Sequence, residues 1–133
     1  MKFPIPLHPV LVHFPIALYF LELVLITFWI AKKDEHYKQF ARFAFRFAYL
    51  MMLAAMFEGL EDAGWFAHMK GRILIHASLA TSVLILQTAR GFFWRFGKER
   101  DSSYRWTHFL FSGAGNILIA LTGFYGGLLV YGR

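Results

Sequence analysis

The sequence predicts an all-α integral membrane protein, an up-down-up-down four-helix bundle in a single domain spanning residues 1–133. Three observations carry that expectation. The chain is 58% hydrophobic and 20% aromatic but only 17% charged, a balance that points to lipid. Its apolar residues gather into four runs, about 10–31, 39–60, 73–94 and 106–131, each long enough at about 1.5 Å per residue to cross a hydrocarbon core of about 30 Å. All four prolines (Pro4, Pro6, Pro9 and Pro15) lie near the start, which leaves the rest of the chain free of helix breakers.

The first run carries one charge, Glu22, and ends at Lys32-Lys33-Asp34-Glu35. It is too long for a signal peptide, its positive charges follow it, and no small-residue cleavage site appears, so it reads as a retained helix. The second begins with Arg42 and Arg46 among phenylalanines, side chains able to snorkel to the interface, and ends at Gly59, Glu61 and Asp62. The apolar part of the third closes at Arg90, and the fourth contains no Lys, Arg, Asp or Glu from Trp106 to Tyr131.

Lysine and arginine are unevenly shared between the two ends. Lys32, Lys33, Lys38, Arg42, Arg46, Arg90, Arg95, Lys98, Arg100 and Arg105 fall on one side, and Lys2, Lys70, Arg72 and Arg133 on the other. Positive charge favours the cytoplasm, which predicts both termini periplasmic, with His8, His13, His68 and His76 near that face and His36 and His108 on the cytoplasmic side. The net charge of +6 lies in short blocks between apolar runs, which is topology signalling and not a nucleic-acid surface.

Zero cysteines exclude disulfides, thiolate metal sites, iron–sulfur clusters and covalently attached haem, so a metal would use histidine, carboxylate or methionine. Six histidines are available. On a helical wheel His76, Ala80, Val83, Gln87 and Arg90 form one stripe of the third span, expected to face inward. In the first span His13, Ala17, Phe20 and Val24 lie together, with Glu22 on the opposite face, so His13 and Glu22 cannot share a site. The second span lines up Ala41, Ala44, Ala48, Ala55, Gly59 and Asp62, and the fourth Ser112, Asn116, Ala120, Gly123 and Gly127. Such small-residue faces allow close helix contact and would equally admit a flat macrocycle.

His13 and His76 each lie about four residues inside helices that start at the same surface, and the first and third helices of such a bundle face each other diagonally. The expectation is therefore a b-type haem with His13 and His76 as axial ligands, bordered by Gly59, Asn116 and Gly123, with Asp62, Glu58 or exposed backbone hydrogen-bonding the imidazoles. His8 is about 140° from His13 if helical, and Pro9 makes continuous helix doubtful there. It is expected to cap the first helix, join His68 and Asp62 at the surface, or shuttle a proton for quinol oxidation. One alternative is a zinc or iron ion among His13, His76, Glu58 and Asp62, with His8 and His68 as further ligands. Another is a cofactor-free accessory subunit that meets a larger complex or a second copy. No phosphate loop or hydrolase motif appears, and a stand-alone enzyme is not expected.

The opening His8-Pro9-Val10-Leu11-Val12-His13-Phe14-Pro15 fits the pattern HPxxVHFP, and the chain closes on Gly126-Gly127-Leu128-Leu129-Val130-Tyr131. With Gly59-Leu60-Glu61-Asp62, Gly71, His76 and Arg90 between them, these residues resemble a bacterial integral-membrane family, domain of unknown function 2231. The resemblance implies a multi-pass protein of the bacterial inner membrane. It also implies a redox setting beside c-type cytochromes, and a family histidine set at His8, His13 and His76.

Overall fold

The computed structural model describes residues 7–67 and 69–132. Helix α1 is a short turn of helix, Leu7–Leu11, followed after Val12 by α2, His13–Lys32; α3 spans Glu35–Asp62, α4 Gly71–Phe96 and α5 Ser102–Tyr131. Together α1 and α2 make the first of four spans long and apolar enough to cross a membrane, and α3, α4 and α5 are the others. The helices run one turn or less beyond the expected spans, mostly because polar residues cap them. Asp34 accepts the backbone N–H of His36 at 2.9 Å, and Asp101 that of Ser103 at 2.9 Å, each satisfying a donor the first turn would leave open. Between α2 and α3 the chain turns through Lys33 at φ 54°, whose N–H bonds back to Trp29.

α2 packs against α3 and α5, and α4 against α5, while α3 and α4 touch only lightly. α2 and α4 lie across the diagonal without backbone contact, as the bundle topology requires. The small face of α3 is its buried face, with Ala41, Ala44, Ala48 and Ala55 all inside, so α2 approaches closely. The stripe from His76 to Arg90 on α4 turns inward as expected: Val83, Gln87 and Arg90 are buried and His76 is partly so.

The first span corrects the sequence reading. It turns Tyr19, Glu22, Ile26 and Trp29 inward and leaves His13, Ala17 and Phe20 exposed. The reason is electrostatic. Glu22 on the outer face would place a carboxylate in hydrocarbon, whereas inside it finds a partner. The fourth span is rotated as well, burying Tyr104, His108, Ser112, Gly115 and Ile119. The outer surface is apolar, with Phe20, Phe40, Phe43, Ile85 and Leu110 all exposed.

Candidate functional site

At the end of the bundle where α1 meets α3, the four spans enclose a cavity of about 410 Å³. Its inner end is closed by Tyr19, Met52, Val83 and Ile119, one buried residue from each span. Its walls are small residues, among them Ala55, Ala80, Ala120, Gly123, Gly126 and Gly127, and His8, His13 and His76 line it. An apolar cavity of this size with few polar groups has the character of a small-molecule or cofactor site.

Two of the histidines are seated in the same way. His8 on α1 bonds through Nδ1 to the carbonyl oxygen of Ala55 on α3 at 2.7 Å. His76 on α4 bonds through Nδ1 to the carbonyl oxygen of Thr122 on α5 at 3.0 Å. A carbonyl only accepts, so each Nδ1 carries a proton, and in the neutral form of either ring the lone pair lies on Nε2. Each ring also lies over the glycine one turn further along the helix it bonds. A Cβ at Gly59 would stand 2.7 Å from Cε1 of His8, and one at Gly126 would stand 3.0 Å from Cε1 of His76.

The two ring centroids are 6.1 Å apart, with planes crossing at 86°. A metal–nitrogen bond of about 2 Å puts each ring centroid about 3 Å from an ion, so two imidazoles on opposite sides of one ion stand about 6 Å apart, against about 5 Å for a tetrahedral pair. The observed spacing is compatible with opposed ligands. An edge-to-face packing pair has the same spacing; beside that spacing stand an Nδ1–H bond from each ring to a carbonyl and a glycine under each ring.

The other expected site residues are distributed differently. His13 lies at the exposed rim of the cavity and makes no ring contact with His76; its place opposite His76 is taken by His8. Gly59 lies beneath His8, and Gly123 lines the cavity with its face toward Ile16. Asn116 is turned away from the cavity: its amide donates to the carbonyls of Tyr19 at 3.2 Å and Ser112 at 2.9 Å, clamping α5 to α2. Glu58 and Asp62 do not line the cavity, and backbone carbonyls hold the imidazoles in place of carboxylates. Among the described residues no group of three or more His, Asp or Glu is placed to hold a metal ion. His68 lies outside the described residues.

A second polar cluster lies deeper, toward the α2–α3 and α4–α5 turns. Arg90 forms a buried ion pair with Glu22 and donates to Gln87 Oε1 at 2.7 Å. Trp94 Nε1 and Ser112 Oγ each donate to the same carboxylate at 3.2 Å. His108, expected toward the same end of the bundle as His36, is buried with its ring centroid 3.7 Å from that of Trp94 and flanked by Phe93 and Tyr104. The sequence reading named Glu22, Gln87 and Arg90 but not their union. Its signal was one acid in the first span and one arginine on the inward stripe of the diagonal helix.

Comparison with known proteins adds a family. The family model described as predicted membrane protein (DUF2231) matches residues 4–133. No curated protein and no solved structure matches the chain.

Proposed function

We propose that this chain, which belongs to the DUF2231 family of predicted membrane proteins, holds a b-type haem between His8 and His76 and serves as an electron carrier in the membrane. The observation that carries the reading is the matched pair of imidazoles, each bonded through Nδ1–H to a carbonyl so that Nε2 of the neutral ring could bind a haem iron, with ring centroids 6.1 Å apart. The residues fit the group. Both ligands are histidine, the walls are small and apolar, and Tyr19 and Met52 close the inner end against water.

Bound haem supplies a one-electron couple whose potential the burial and axial ligands tune. The chain's own part is to fix both rings. The carbonyls of Ala55 and Thr122 set the tautomer and increase the basicity of each Nε2, and Gly59 and Gly126 set how near each ring approaches its helix. The cavity opens near the end of the bundle, with His13 at its rim, which suits exchange with a redox partner at the membrane surface such as a quinone or a c-type cytochrome. The lysine and arginine distribution supports a reading with that rim on the periplasmic side of a bacterial inner membrane.

The test is a visible spectrum of the detergent-purified protein from a haem-supplied host, oxidised and then reduced with dithionite. A sharp low-spin spectrum is expected, lost in His8→Ala and in His76→Ala and kept in His13→Ala. Absence of a Soret band from the wild-type protein overturns the reading.

A further inference from the structure

The seam between α3 and α4 is the loosest in the bundle. Toward the α2–α3 and α4–α5 turns it opens into a cleft of about 600 Å³, far from the histidine cavity. Phe45, Tyr49, Leu50, Phe92 and Phe96 line it with Gly91, and a hydrogen bond of 2.8 Å between the hydroxyls of Tyr49 and Thr88 ties the two helices there. The apolar part of such a cleft in a bilayer fills with hydrocarbon.

Arg42, Arg46 and Arg95 line the same cleft. Arg42 and Arg46 are four residues apart on α3 and so share a face. Three other cations at this end have acids: Lys38 pairs with Glu35 and Glu99, Arg105 with Glu99, and Arg90 with Glu22; Lys32, Lys33, Lys98 and Arg100 have no ion pair among the described residues but do not line the cleft. Among the described residues none of the three cleft arginines has a carboxylate partner, and Arg95 rests over the ring of Phe96. Three unpaired guanidiniums beside an apolar trough match a ligand with an anionic head and a hydrocarbon tail. An uncharged quinone would leave them unanswered.

We infer that the α3–α4 cleft binds one anionic phospholipid, an acyl chain lying between Phe45, Tyr49 and Phe92 and the phosphodiester held by Arg42, Arg46 and Arg95. This does not depend on the haem reading. The experiment titrates delipidated protein in detergent with phosphatidylglycerol or with phosphatidylcholine of the same acyl chains, followed by native mass spectrometry and thermal unfolding. One phosphatidylglycerol is expected to be retained, with a raised unfolding midpoint and a clear preference over phosphatidylcholine. The triple variant Arg42→Gln/Arg46→Gln/Arg95→Gln should lose roughly a hundredfold in affinity, about fivefold for each arginine, while Lys32→Gln/Lys33→Gln/Arg100→Gln, with equal charge removed, should bind as wild type.

If the triple variant does not fold, Arg46→Gln alone reads the fivefold step. Gly91→Leu tests the trough: the Cβ at Gly91 meets only the Phe45 ring, at 3.5 Å, and the longer side chain should block the lipid with every charge in place. Equal binding of the two lipids overturns the inference, as does equal loss in the control variant. So does stabilisation by inorganic phosphate alone to the same degree, or a wild-type dimer that the triple variant dissolves.

Discussion

Glu22 and Arg90, 68 positions apart in sequence, form an ion pair sealed inside the bundle. They sit on α2 and α4, helices with no backbone contact, so two side chains span the diagonal. Taking one partner away strands the other charge. Arg90→Leu should lower stability by about 3–5 kcal/mol, and Glu22→Leu/Arg90→Leu should recover most of the loss. Denaturant unfolding in detergent reads both, and a double variant no better than the single one contradicts the pairing.

The glycine seats predict a separation of ligand binding from folding. Alanine in a helix is favoured over glycine by up to about 1 kcal/mol, yet Gly59→Ala pushes into His8 and Gly126→Ala into His76. Each variant should fold as well as wild type while losing haem, Gly59→Ala more completely because its contact is the shorter. Thermal unfolding beside the Soret absorbance per protein checks this.

Gly115 predicts a packing cost instead. A Cβ there would stand 2.7 Å from Nε2 of the buried Gln87, which accepts from Arg90 at 2.7 Å through Oε1. Gly115→Ala should cost about 1–3 kcal/mol in unfolding free energy, with haem content unchanged per folded molecule.

The turn end of the bundle carries a pH dependence. Lys38 at 2.8 Å and Arg105 at 3.0 Å hold the Glu99 carboxylate, and the hydrogen bond from Lys38 leads in keeping its pKa below the ordinary range. A carboxylate with a depressed folded pKa adds stability that is full above its unfolded pKa and disappears as pH falls through the folded one. The unfolding midpoint should fall as pH drops from about 5 toward 3, by less than about 1 kcal/mol for this partly screened pair. Glu99→Gln should flatten that part of the curve, and a midpoint series with pH reads it.

Four spans and the inward stripe of α4 were legible because an uninterrupted 3.6-residue period leaves few alternatives. The wheel also separated His13 from Glu22 correctly. What it lacked was the sign of the first span, since an apolar helix in lipid has no polar face to point outward. The lone charge should have decided it, because Glu22 belongs inside. His8 was hidden by Pro9. A proline reads as a helix breaker, but Pro9 is the third residue of α1 and Pro15 the third of α2, in first turns whose N–H groups have no intrahelical acceptor to lose. The chain therefore stays nearly helical past Val12, and His8 is delivered to α3 as His13 turns to the rim. The carbonyl and glycine seats were not legible, because they depend on the register between neighbouring helices.

The polar contacts are unequally spread along the bundle axis. Near the turns, an ion pair, two further donors to its carboxylate and a stack of rings around His108 tie α2, α4 and α5 together. Around the cavity, the contacts from one span to another are two imidazole bonds, the His8–His76 ring pair, a long Tyr19 hydroxyl bond to Met52 Sδ and small side chains. Amide protons should accordingly exchange slowest around Glu22, Arg90 and Ser112 and fastest along α1 and the first turns of α4. A firmly tied anchor with a more lightly tied mouth would let a bulky guest, such as the haem proposed above, pass in and out without unmaking the molecule that receives it.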